Sequence, residues 1–213
     1  MATFEAPTYS MNATGLLAAF AAAMWPLAYR ARFEATVAAG RAAAEGEVSY
    51  PPEYTKLNLA RTRRVEKTLR IPEHVQAVMR TAAPQAWLVI TGEWCGDSAQ
   101  NLPVLLALAA LAPAIEARIL PRDAHPDVMD QYLTEGARSI PKLIAFEHST
   151  GRERFRWGPR PAAARTWIAA ERARPESERL PFDRLSEELH RWYAANGGQD
   201  VCSEIAELVR SAG

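Results

Sequence analysis

The stretch that most restricts the fold is "AWLVITGEWCGDSAQNLP", residues 86–103. Its first six residues, Ala86 to Thr91, are an apolar, β-prone run bounded by Pro84 and Gly92. Polar residues do not alternate within it, so both faces need cover, and the run predicts a central strand buried between layers. The period then changes to that of a helix, expected from about Cys95 to Leu111, with Pro103 inside it. A buried strand feeding a helix is the opening half of a βαβ unit, so the chain is expected to be α/β. At the junction, "EWCGDS" sets one cysteine at the head of the helix and a serine three places on.

The flanking sequence extends this pattern. Upstream, the Ala-rich segment from about Asn12 to Ala44 predicts two helices divided at Pro26, which suits a first helical turn and not an interior, with Gly46 as a stop. "TKLNLARTRRVEKTLR" predicts a helix with Leu57, Ala60, Val65 and Leu69 as its buried stripe, opposite a solvated basic face of Lys56, Arg61, Arg63, Arg64, Lys67 and Arg70. One of those cations facing Cys95 or an acidic partner is the competing reading. A short helix is expected from Pro72 to Ala82.

Downstream, the expected elements are a strand near Ala117 to Leu120, a helix near Asp127 to Glu135 and a strand from Lys142 to Phe146. "RERFRW" reads as a hairpin partner after Ser149–Thr150–Gly151, and "PAAARTWIAA" as a helix opening on proline. Two amphipathic helices split by "NGG" follow, between Phe182 and Val209. The organisation expected is a helical N-terminal extension over 1–83 packed on the core, a core over 84–172, and C-terminal helices over 173–213 in the same domain.

Composition removes several classes of function. Lys plus Arg equals Asp plus Glu at 25 each, so no global field draws nucleic acid or an anionic membrane, and a protein or small-molecule partner is expected. The apolar run Leu16 to Tyr29 is 14 residues long and holds Pro26, whereas a spanning helix needs ~20. Glu5 precedes it and no Lys or Arg does, so no secretory n-region is read and the cytoplasm is the expected compartment. Two cysteines there imply no disulfide framework. His74, His125, His148 and His190 lie far apart without metal-ligand spacing, and no Gly-rich phosphate loop occurs, so neither metal nor cofactor is expected. A histidine that meets Cys95 in space, as in a Cys-His hydrolase, stays open.

Strand, Trp-Cys-Gly-x-x and helix together resemble the thioredoxin superfamily, and "ITGEWCGDSAQNLP" also carries a proline eight residues past the cysteine, Pro103. "GARSIPKLIAF" is similar to the family's segment in which an Ile-Pro bond is cis and opens a strand, which would make Ile140–Pro141 that pair. "WGPRP" lies where the family carries a glycine after its hairpin. The resemblance spans about Ala86 to Ala170. A narrower one, through "YTKLN", "VMDQYLTEGARSIPKLIAF" and "WGPRP", is to bacterial thioredoxin-like proteins with a helical N-terminal extension.

The resemblance implies a thioredoxin-like fold and a redox site of Cys95 and Ser98, with Trp94, Gly96, Asp97, Ile140 and Pro141 touching substrate. A thiol at a helix N-terminus meets unpaired N–H groups and the positive end of the dipole, so a lowered pKa is expected for Cys95, moderated by the Asp97 carboxylate. Two departures from the family matter. Ser98 replaces the second cysteine, and Val89 stands where thioredoxins bury an aspartate, so a dithiol cycle is not expected. Three readings follow: a monothiol thiol-disulfide oxidoreductase resolved by an external thiol such as glutathione; a peptide-binding module that uses the backbone at Ile140 and catalyses nothing; and a glutaredoxin-like iron–sulfur holder suggested by Cys-Gly-x-Ser. Cys202, on a stripe with Val201, Ile205, Leu208 and Val209, is expected to pack as a bystander.

Overall fold

The computed structural model describes residues 11–40, 43–45 and 48–212, with the backbone alone for 43–45, 48 and 49. Helix α1 (Ala13–Ala22) opens on Asn12, whose side chain accepts the Gly15 N–H at 2.8 Å, and α2 (Pro26–Ala38) starts on Pro26 as its first residue. Strands β1 (Ala43–Glu45) and β2 (Val48–Tyr50) then pair antiparallel, so the N-terminal segment is not wholly helical; Gly46 lies outside the described residues. Next come α3 (Pro52–Thr68), α4 (Glu73–Arg80), β3 (Gln85–Thr91), α5 (Gly96–Leu111) and β4 (Ile115–Pro121). After them lie α6 (Pro126–Met129), β5 (Lys142–Phe146), β6 (Glu153–Trp157), α7 (Ala162–Ala173), α8 (Phe182–Asn196) and α9 (Gln199–Ser211).

The central sheet has the order β4-β3-β5-β6, with β3 parallel to β4 and antiparallel to β5, and β5 antiparallel to β6. This is a mixed α/β sheet flanked by helices, a thioredoxin-like fold with helical extensions at both ends. Every residue of β3 is buried because the sheet is covered on both faces. Trp87 and Val89 face a layer built by α5, α4 and α9 with Tyr29 and Phe33 of α2. Ala86, Leu88 and Ile90 face the other, with Leu16 and Phe20 of α1, Met129 and Tyr132. The exposed side of β4 is partly paired by Met24, which exchanges both backbone hydrogen bonds with Ile119 at 2.8 Å, so the link between α1 and α2 blunts an edge strand.

Two elements depart from expectation. The buried side of α3 is Thr55, Asn58, Leu59, Thr62 and Val65, while Leu57 and Ala60 are exposed. That face meets the polar first turns of the α5 region: Asn58 Nδ2 donates to the Glu93 carbonyl at 3.1 Å and Thr62 Oγ1 to the Ala99 carbonyl at 3.3 Å. Helix α6 stops at Met129 instead of reaching Glu135; beyond it the chain turns, with Glu135 at φ 52° and Gly136 at φ 76° while Thr134 and Ala137 bridge. In the C-terminal third, α9 buries Val201, Cys202, Ile205 and Val209, and α7 and α8 share a small cluster of Ala164, Ile168, Leu189 and Tyr193. Among the described residues, no helix is long and apolar enough to cross a membrane.

Candidate thiol site

Strand β3 ends at Thr91, and a short turn delivers Cys95 to the N-cap of α5. An extended backbone at the cap (φ −82°, ψ 118°) lets its sulfur take the place a serine or aspartate oxygen usually fills. Cys95 Sγ accepts the Ser98 N–H at 3.4 Å and donates to the Ile140 carbonyl at 3.3 Å. The Ile140–Pro141 peptide is cis, and so is Gly158–Pro159. Trp94, Gly96, Asp97 and Ser98 continue from the thiol, so the seven residues singled out in the sequence form one locality. A Cβ on Gly158, whose φ is +110°, would stand 2.1 Å from the Pro141 carbonyl oxygen, so only glycine lets the loop after β6 lie against that proline.

The thiol is closed in. Cys95 is 8% exposed and Ser98 3%. Tyr50 at the end of β2 stacks on Trp94 with centroids 5.0 Å apart and planes 5° apart; the Tyr54 ring centroid is 6.0 Å from that of Tyr50, and the Arg122 guanidinium sits 4.3 Å from the Trp94 ring centroid. Trp94 Nε1 donates to Asp123 Oδ2 at 2.9 Å, which fixes the indole in this stack. Behind Cys95 and Ser98 is a cavity of about 40 Å³, walled by Tyr29, Phe33, Ala99 and Leu102, roomy enough for water and too small for a disulfide.

This burial overturns the expected acidity. Burial, and then the Asp97 charge, push the Cys95 thiol up from the ordinary 9.0 to about 11. Contacts from Ser98 and the Asp97 N–H favour the thiolate, as helix-start geometry predicts, but are outweighed. The Ser98 hydroxyl bears on the sulfur from outside normal hydrogen-bond geometry, since Oγ has no partner that meets it. Val89, 1% exposed and level with Ile119 and Leu143 in the sheet, offers no proton acceptor. Cys202 is buried and free on α9, and burial raises its thiol to about 11 as well.

Asp97 does more than oppose the thiolate. Its Oδ2 pairs with Arg160 at 2.6 Å and its Oδ1 accepts the Tyr193 hydroxyl at 2.7 Å. Asn101 Nδ2 donates to that same hydroxyl at 3.1 Å and to the Pro159 carbonyl at 3.2 Å. Burial works against the Arg160 charge, yet Asp97 outweighs it and the Arg160 pKa is raised; Tyr193 is driven well above its usual range by burial and by Asp97. This network ties the first turn of α5 to α8 and to the loop that lies on Pro141.

His190 is also here: a Cβ on Gly96 would stand 2.8 Å from its Nε2 and 3.0 Å from the Tyr54 hydroxyl. It makes no hydrogen bond to Cys95, so the pairing a Cys-His hydrolase needs is not formed. Burial, with Arg61, Arg64 and Arg160 nearby, lowers its pKa to about 4. Sequence reasoning missed Tyr50, Tyr54, Arg160, His190 and Tyr193. Arg160 and Tyr54 left a signal, through "WGPRP" and "YTKLN"; the others meet the site from distant segments. Among the described residues, no group of three or more His, Cys, Asp or Glu is arranged to hold a metal ion.

Comparison with known proteins bears on the fold and the family. The chain is 42% identical over 62 residues to a thioredoxin of Chlamydia muridarum, a match covering 29% of this chain and 58% of that protein, hence under two thirds of its length. A crystal structure of a Pseudomonas aeruginosa protein of unknown function superposes with a TM-score of 0.55 at 18% identity, covering 76% of this chain and 91% of that one. An HIV epitope scaffold does so with a TM-score of 0.59 at 18% identity, covering 95% and 100%. These two likenesses concern the fold. A family model described as thioredoxin matches residues 48–174, more than half of the chain, and the chain therefore belongs to the thioredoxin family.

Proposed function

We propose that the chain is a monothiol thiol-disulfide oxidoreductase of the bacterial cytoplasm, acting on protein or low-molecular-weight disulfides and not on nucleic acid or a membrane. The observation that carries this reading is Cys95 at the N-cap of α5, hydrogen-bonded to the backbone of Ile140 beside cis Pro141, with Ser98 one turn away in place of a second thiol. Cys95 loses its proton and attacks a disulfide RS–SR′; the Cys95–SR bond forms as the S–S bond breaks, and R′S⁻ leaves and takes up a proton. An external thiol then attacks the mixed disulfide, restores Cys95 and carries RS away as a new disulfide. Nothing within the site performs that second step, since Ser98 cannot form a disulfide and Val89 cannot take a proton.

The buried, weakly acidic thiol favours a second reading, a peptide-binding module that keeps the Pro141 groove without catalysis. Ser98→Cys separates the two. Under the first reading the wild type reduces insulin disulfides feebly with a dithiol reductant and accumulates glutathione on Cys95, while Ser98→Cys forms an intramolecular disulfide and gains turnover. A variant that forms no such disulfide and gains no turnover leaves the binding module as the better reading.

A further inference from the structure

The first turn of α5 is bordered by more positive charge than its single acid balances. Both oxygens of Asp97 are taken, by Arg160 and by Tyr193. Arg61, half-buried on α3, donates to Asn58 Oδ1 at 2.8 Å and lies 5.7 Å from the Tyr54 ring centroid; among the described residues it has no ion-pair partner. Arg64, one turn on, donates to Gln100 Oε1 at 2.7 Å and likewise has no carboxylate. These two are the cations expected on a solvated face; instead they turn toward α5 and α8.

Their placement orders a third group. Arg64 holds the Gln100 oxygen, so the Gln100 amide nitrogen is the atom that faces His190 Nδ1, at 3.0 Å. Nδ1 therefore accepts, and the neutral ring carries its hydrogen on Nε2, the atom turned toward Gly96. Tyr54 brings its hydroxyl to the same point. Outside lies an open groove of about 430 Å³, lined by Arg61, His190, Arg191, Asp183 and Glu187. Glu187 is held by Arg184 and Arg191 and does not neutralise Arg61.

We infer that this groove, bounded by Arg61 and His190 and backed by Arg64, binds the carboxylate of a low-molecular-weight acidic thiol, so that Cys95 exchanges preferentially with anionic disulfides. The inference names the substrate class for the exchange reading above and rests on it. The Arg61 guanidinium, which has no carboxylate in direct contact among the described residues, supplies the attraction at the groove wall, and Arg64 adds its charge from behind.

The test uses the full chain and three small disulfides: dithiodipropionate (dianionic), hydroxyethyl disulfide (neutral) and cystamine (dicationic). Mixed-disulfide formation on Cys95 is followed by peptide mass spectrometry. The anionic reagent is expected to react about 10-fold faster than the cationic one, the ratio shrinking several-fold in about 0.5 M NaCl. It should fall toward unity in Arg61→Gln/Arg64→Gln, while Lys67→Gln, on the exposed face of α3, leaves it unchanged. A ratio at or below unity, or one indifferent to salt and to the double variant, overturns the inference. If no disulfide reacts, the exchange reading fails, and the groove is judged by alkylation: iodoacetate over iodoacetamide, relative to free cysteine, should be raised about 5-fold and lose that rise in the double variant. An unraised ratio overturns the inference whatever the redox outcome.

Discussion

The closed state of Cys95 makes a quantitative demand on its reactivity. Only the thiolate alkylates at a useful rate, and its fraction follows from the pKa. At neutral pH an ordinary thiol at 9.0 is about 1% thiolate and one at about 11 is about 0.01%, so acidity alone slows Cys95 about 100-fold. Burial is the larger cause, and part of the cover comes from Tyr50 stacked 5.0 Å from Trp94. Tyr50→Ala removes that ring, admits water to the sulfur and should speed alkylation about 10-fold or more; Asp97, the second cause, remains, so the full factor should not return. The assay is iodoacetamide labelling across a pH series, read peptide by peptide, with fully buried Cys202 as a reference that Tyr50→Ala should leave slow. Wild-type Cys95 labelling at neutral pH as fast as free cysteine, with a pH–rate midpoint below 9.0, would refute the argument.

Three further outcomes are expected. Gly158→Ala places a methyl 2.1 Å from the Pro141 carbonyl oxygen at a φ of +110°, and should cost more than about 3 kcal/mol in urea unfolding or prevent folding. His190 titrates at about 4 in the fold against 6.5 ordinarily, so the unfolded chain binds that proton first. Its stabilising share is complete above 6.5 and is lost as pH falls toward 4, by up to about 3 kcal/mol before solvent screening; His190→Gln should flatten that part of the stability–pH curve. Because α2 and α3 share the core layer with β3 and α5, limited proteolysis should not release residues 84–213 as a stable fragment with a separately folded remainder.

What the sequence made legible was whatever one segment could declare by itself. Ala86 to Thr91 announces a doubly covered strand because apolar residues fill it without alternation, and Pro26 and Pro161 mark helix starts because a proline ring costs least there. Cys95 at the helix start was legible for the same reason. The face of α3 was not: apolar spacing picked Leu57, but the surface it meets is polar backbone, so Asn58 and Thr62 turned inward. Thiol acidity was misjudged because helix-start geometry is local, whereas burial by Tyr50 and the neighbouring layers is a sum over distant segments. His190 and Tyr193, which reach residues 90 and 96 positions away, leave no local pattern.

The two sides of the enclosure differ in what holds them. On the α8 side, Tyr193 and Arg160 satisfy a buried carboxylate, and removing one partner of a buried ion pair costs about 3–5 kcal/mol because a charge is stranded. On the other side, Tyr50 stacks on Trp94, worth about 0.5–1.5 kcal/mol beyond the area it covers, and among the described residues β2 pairs with β1 and not with the central sheet. Opening toward Tyr50 leaves the Asp97–Arg160 pair intact. It also leaves Asp97, His190 and Arg61 in place at Gly96, so the charge that borders the thiol is the same before and after a substrate enters. An opening on the α8 side would dismantle that border, and Cys95 would then meet anionic and cationic disulfides without the preference that Arg61 and Arg64 impose.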